Sequence, residues 1–147
     1  MEGNARLIPD REAIETWFRT MEACVRAVDY ARARALFASD VVAFGTRADV
    51  VEGLELLEAN QWRGVWPTIR DFTFDLGQLR WSWSGDAGWA TTVWTSTGFH
   101  PDGARFSRPG RATITFERRD MRILAVHSHF SLYPGIPQRS SGPPANP

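Results

Sequence analysis

The chain has 147 residues and a mass of 16.6 kDa, enough for one domain that buries roughly two-thirds of its unfolded surface without a metal or disulfide. Seventeen basic residues, every one an arginine, balance seventeen acidic ones, and the isoelectric point near 6.8 excludes a nucleic-acid footprint or a basic membrane patch; the missing lysines exclude Schiff-base chemistry. Cys24 is the only cysteine, so no internal disulfide forms.

Residues Met1-Glu2-Gly3-Asn4 lack the basic segment and apolar stretch of a secretory leader, and no run of 18 apolar residues is present, so a cytoplasmic location and no membrane partner are expected. Asp10 is placed to cap a first helix whose apolar residues Ile14, Trp17, Phe18, Met21, Val25 and Val28 fall three and four apart, on one face. Asp29 starts a second short helix through Leu36 and Phe37. A strand, Val41-Val42-Ala43-Phe44, precedes a third helix that runs from about Glu52 through Leu57, Gln61, Trp62 and Trp66 until Pro67 stops it.

From Arg70 the apolar period changes from about 3.6 to 2, which marks a sheet. Four strands are predicted, one around Phe72, Phe74 and Leu76, then Trp89 to Phe99, Phe106 to Glu117, and Ile123 to Leu132. Their connections, Ser84-Gly85-Asp86, His100-Pro101-Asp102-Gly103 and Arg118-Arg119-Asp120, carry turn chemistry and join antiparallel neighbours. Residues 1–133 form the domain. In the tail, residues 134–147, five of fourteen residues are proline, so no regular structure is expected there. Helices followed by a curled, mostly antiparallel sheet give an α+β class in which three N-terminal helices cover one sheet face. Tryptophans and branched residues of the Trp89–Phe99 strand fall at both parities, with Trp89, Val93 and Phe99 on one side and Trp94 on the other. The second face therefore calls for a cover, and a homodimer through the sheet is expected.

Three stretches resemble the SnoaL-like superfamily: Phe37-Ala38-Ser39-Asp40-Val41-Val42, Val51-Glu52-Gly53, and the final strand Ile123-Leu124-Ala125-Val126-His127-Ser128-His129-Phe130-Ser131. The superfamily contains ketosteroid isomerases, polyketide cyclases, scytalone dehydratase, nuclear transport factor two and the association domain of calcium/calmodulin-dependent protein kinases. The closing Val-His-x-His strand is most similar to that association domain. The resemblance implies a cone-shaped α+β barrel, three helices against a curved sheet, a deep apolar pocket, and usually a dimer. It implies little about chemistry, because one fold hosts enzymes, transport factors and assembly modules. Carried over by position, the isomerase tyrosine falls on Met21, its base on Gly45 and its second acid near Thr113 or Thr115; methionine and glycine can neither accept a proton nor donate a side-chain hydrogen bond, so isomerase activity of that type is not expected.

His127 and His129 stand two apart on a strand, about 6.6–7 Å between Cα atoms, and share a face. They are the candidate general acid/base pair, because imidazole titrates near neutrality, or else polar wall or dimer-face residues. The resemblance favours the face of Ile123, Ala125, His127 and His129 as the inward one. No spacing supplies a third ligand, so neither a metal nor another cofactor is expected. Candidate ligand-binding residues are Trp17, Met21, Trp62, Trp66, Thr92 and Trp94, with Arg111 as a carboxylate clamp. Asp40, Tyr30 and Cys24 read as structural. The expected function is binding of a small apolar molecule, with metal-independent acid/base catalysis as one form and a non-catalytic association or ligand-sensing module as the other.

Overall fold

The computed structural model describes residues 9–145; the reading of the first four residues lies outside them. Helix α1 (Arg11–Ala27) starts where expected, with Asp10 accepting a hydrogen bond from Ala13 N at 2.9 Å. It ends at Val28, which takes the left-handed conformation with φ 53°. Helix α2 (Tyr30–Arg34) is capped by Asp29, which accepts from Arg32 N at 3.0 Å.

The third helical segment departs from the expected single helix. It is a relay of α3 (Leu54–Leu57), a π turn (Glu58–Trp62), α4 (Arg63–Val65) and a 3-10 turn (Trp66–Thr68), so Pro67 sits inside the final turn rather than just past the segment's end. Proline lacks only a donor that a first turn leaves free anyway, and so it is accommodated there. Gln61, four residues after the buried Leu57, lies within the π turn and is itself buried.

Seven strands form one sheet in the order β2-β1-β7-β6-β4-β3, with β5 paired to β4. They are β1 (Phe37–Phe44), β2 (Val50–Glu52), β3 (Arg70–Ser84), β4 (Ala87–Phe99), β5 (Arg105–Ser107), β6 (Gly110–Arg119) and β7 (Arg122–Leu132). All pairings are antiparallel except β1 with β7. The sheet is curved like a cone and open at its edges. Three elements correct the sequence reading. Strand β1 begins at Phe37 rather than Val41, β2 was not foreseen, and the strand expected over Phe106–Glu117 is split in two. The split falls at Arg108-Pro109, where proline has no N–H for the ladder. Gly110 then restarts pairing so close to its neighbours that a Cβ would collide with Ser131 O and the Trp94 ring.

Two irregularities decide which side chains face the helices. Between Asp75 and Arg80 the register of β3 shifts, so Phe72 and Phe74 are buried before the shift and Leu79 after it. In β7, Thr115 pairs with His127 but Phe116 pairs with Ala125, leaving Val126 as an extra residue. The core lies between α1, the third helical segment and the concave sheet face, with Phe18, Ile14, Ile114, Phe116 and Ala125 entirely buried. Edge-on aromatic pairs organise it, among them Trp17 with Phe116 at 5.2 Å and Phe18 with Phe74 at 4.9 Å, a geometry worth about 0.5–1.5 kcal/mol each beyond burial.

The tail has no helix or strand as far as residue 145, yet it is laid on the body. Gln138 Nε2 donates to Thr46 O at 3.0 Å, Ser140 Oγ donates to Thr68 O and accepts from Phe99 N, and Ser141 N donates to Phe99 O. Phe99, expected on the outer side, is thereby buried.

Candidate functional site

A hollow opens between the third helical segment, the end of α1 and the concave sheet. Met21, Trp62, Trp66, Phe72, Trp94 and Phe130 make most of its apolar wall, and Thr46, Gln61, Arg108 and Ser128 its polar end. Counting its mouth it encloses about 500 Å³, of which about 40 Å³ admits the centre of a water-sized body. That is room for a few waters or one small head group. Trp62 and Trp66 stack at 4.8 Å, and Tyr30 stacks on Trp66 from outside, with Arg63 over the Tyr30 ring. This column holds one wall rigid, and Tyr30 is structural in effect.

The polar end is built around the loop after β1. Gln61 Oε1 accepts from Arg47 N at 2.9 Å and Ala48 N at 2.7 Å, and Gln61 Nε2 donates to Thr46 Oγ1 at 2.9 Å. Gly45 is required here because a Cβ would collide with the Gln61 amide. At Gly45, where the resemblance puts an isomerase base, the Gln61 amide from the π turn fills the space and bonds the loop after β1.

Arg108 is the residue that sequence reasoning missed. It is 2% exposed, Nη2 donates to Thr46 Oγ1 at 3.2 Å, and its guanidinium carbon lies 5.6 Å from the Trp94 ring centre. Nε has no hydrogen-bond partner, and neither has Trp94 Nε1. Burial pushes the Arg108 pKa down to about 10. No carboxylate faces it among the described residues. The Arg-Pro break in an otherwise β-like stretch was the only available signal, since proline ends pairing and lets the preceding side chain turn off the strand alternation.

The structure divides the predicted ligand residues. Met21, Trp62, Trp66 and Trp94 line the hollow. Trp17 belongs to the solid core, its Nε1 donating to Leu36 O at 3.0 Å. Thr92 is buried but its hydroxyl is spent on Asp75 O at 2.6 Å. Arg111 lies on the convex face over the Tyr133 ring at 5.3 Å, because alternation turns Ala112 and Ile114 inward. Thr113 and Thr115 fall on the convex face as well.

His127 and His129 are corrected in the same way. The extra residue Val126 breaks the face assumed to run through Ala125, His127 and His129, so Ala125 and Ser128 point inward and both imidazoles outward. Phe44 lies edge-on between them, 5.0 Å from His127 and 5.1 Å from His129, and His127 Nδ1 hydrogen-bonds Val42 O at 2.7 Å. With Trp89 (44% exposed), Val42 and Phe44 they form a partly apolar convex face. Asp40 is held below the usual carboxylate range by the hydrogen bond and charge of Arg119, and burial raises the Cys24 thiol. Among the described residues no three His, Cys, Asp or Glu gather as a metal set, and no helix is long and apolar enough to cross a membrane.

A family model described as a SnoaL-like domain matches residues 12–135. No curated protein sequence matches the chain. Among solved structures, a candidate association domain of the calcium/calmodulin-dependent protein kinase II type from Xanthomonas campestris is 21% identical, covers 88% of this chain and 91% of its own, and superposes with a TM-score of 0.68. The association domain of the C. elegans kinase is 16% identical over 82% of this chain and 94% of its own, with a TM-score of 0.65. An NTF2-like protein with a cystatin-like fold from Novosphingobium aromaticivorans is 19% identical over 86% and 83%, with a TM-score of 0.68. At these identities the likeness establishes the fold alone.

Proposed function

The chain belongs to the SnoaL-like domain family, and on that premise we propose that it is a small-molecule-binding module, non-catalytic and dimeric, rather than an acid/base enzyme. One observation carries this reading. The wall of the hollow contains, among the described residues, no Asp, Glu, His, Tyr or Cys to take or give a proton near neutral pH. Proton transfer at carbon needs such a group within hydrogen-bond reach, and both imidazoles are on the other side of the sheet. Aromatic walls with a few polar groups at one end are instead what a binding pocket requires.

The dimer is proposed through the convex face, where Trp89, Val42 and Phe44 leave apolar surface open and His127 and His129 would act as interface residues. The similarity to kinase association domains agrees with an assembling module. Native mass spectrometry of freshly purified protein tests both parts together. The expected spectrum is a dimer that carries a small-molecule adduct released on activation. A monomer at micromolar concentration would remove the dimer, and an empty hollow that takes up no small molecule would remove the binding module.

A further inference from the structure

We propose that the hollow takes a small organic monocarboxylate, its oxygens on the Arg108 guanidinium and its carbon body against the rings of Trp94, Trp62 and Phe72. This specifies the ligand class of the binding module above and rests on that reading. The polar end of the hollow has donors without partners, while the Gln61 carbonyl and the Thr46 hydroxyl oxygen already accept two hydrogen bonds each. Arg108 Nε and Trp94 Nε1 are fully buried without partners. Thr46 Oγ1 already receives Gln61 Nε2 and Arg108 Nη2, so its own hydroxyl hydrogen is directed to a further acceptor. The Gln61 carbonyl serves two backbone N–H groups of its loop and offers nothing inward. A buried guanidinium with no carboxylate is costly, and an acceptor-only anion removes that cost while satisfying several donors at once.

Charge on the other side of Arg108 agrees. A second, smaller space on the tail side of Arg108 is lined by Arg47, Arg108 and Arg139 together with Gln138 and Ser140, and by no carboxylate. Exposed Arg47 and Arg139 raise the local concentration of anions there. Inside, Arg108 is the single cation of the wall, which matches one negative charge; a phosphate dianion would enter with a second charge unpaired. The flat fork of a guanidinium fits a planar carboxylate with two parallel bonds, and the aromatic wall suits a short, flat body.

Matched pairs of probes test the class on the wild-type chain. Acetate against acetamide and benzoate against benzamide are titrated at constant ionic strength, followed by tryptophan fluorescence and calorimetry, with inorganic phosphate as a third arm. The carboxylate of at least one pair is expected to bind tenfold or more tightly than its amide. Arg108→Met, checked for folding by circular dichroism, abolishes that preference, and Arg108→Lys keeps part of it. Equal affinity for acid and amide, phosphate binding as tightly as the carboxylate, or an unchanged preference in Arg108→Met overturns the proposal. Amides that bind where carboxylates do not leave the binding module standing and remove only the anion. If no probe binds and the fresh protein carries no adduct, both readings fall.

Discussion

The concave and convex faces of strands β4, β6 and β7 are made from the same residues in alternation, yet they carry opposite kinds of chemistry. Inward are Ala90, Trp94, Ala112, Ile114, Phe116 and Ala125, all nearly or wholly buried, and beside them Arg108, the sole cation in the wall of the hollow. Outward are Trp89, Arg111, Thr113, Thr115, His127 and His129, the residue types that usually attract attention as catalytic or binding groups. The contrast shows that the chemistry a side chain can perform says little until its face is known, and that in β7 one added residue assigns the faces.

That contrast can be broken by substitution. The largest effect is expected from Trp94→Ala, which empties a fully buried position on the concave side and should cost ~3–5 kcal/mol in urea unfolding. A loss below about 1 kcal/mol would mean that the concave face is loosely packed. Arg108→Met should act in the opposite direction, raising stability at neutral pH by ~1–3 kcal/mol, because it removes a buried charge that has no counter-charge while keeping the volume. A stability loss of that size would assign Arg108 to holding the fold. On the convex side, Trp89→Arg should leave monomer stability within about 0.5 kcal/mol and weaken self-association at least tenfold, read by analytical ultracentrifugation. The smallest effect sharpens the contrast most: His127→Gln combined with His129→Gln should change ligand affinity in the hollow by less than about twofold, because both rings are across the sheet from it. A larger change would couple the two faces.

Much of the fold was legible in the residues. Asp10 and Asp29 cap their helices as hydroxyl- or carboxylate-bearing residues do, and the spacing of Ile14, Trp17, Phe18, Met21 and Val25 maps onto the buried side of α1. Within β4 the alternation from Ala87 to Thr97 reads directly as exposed and buried. Four site residues, Met21, Trp62, Trp66 and Trp94, were found because bulky apolar groups on those elements must point at the helix–sheet interface. Trp17 satisfied the same rule and went into the core, since composition does not distinguish a filled interior from a hollow one. Arg108 and Thr46 were not legible from periodicity, whereas Gln61 keeps the helical spacing of Leu54 and Leu57 and was passed over because it is polar. The first two reach the site through a local break in periodicity, namely a proline-split strand and a loop.

Local rules therefore determined the element types, their caps and turns, the α+β class and the aromatic supply for a pocket, because periodicity and backbone preference act over a few neighbours. Tertiary structure alone decided which face of β7 looks inward, where the unpaired guanidinium comes to rest, and that the proline-rich tail lies against the body. A single bulge reverses the side-chain parity of every residue beyond it, and the energy that selects it comes from packing against elements distant in the chain.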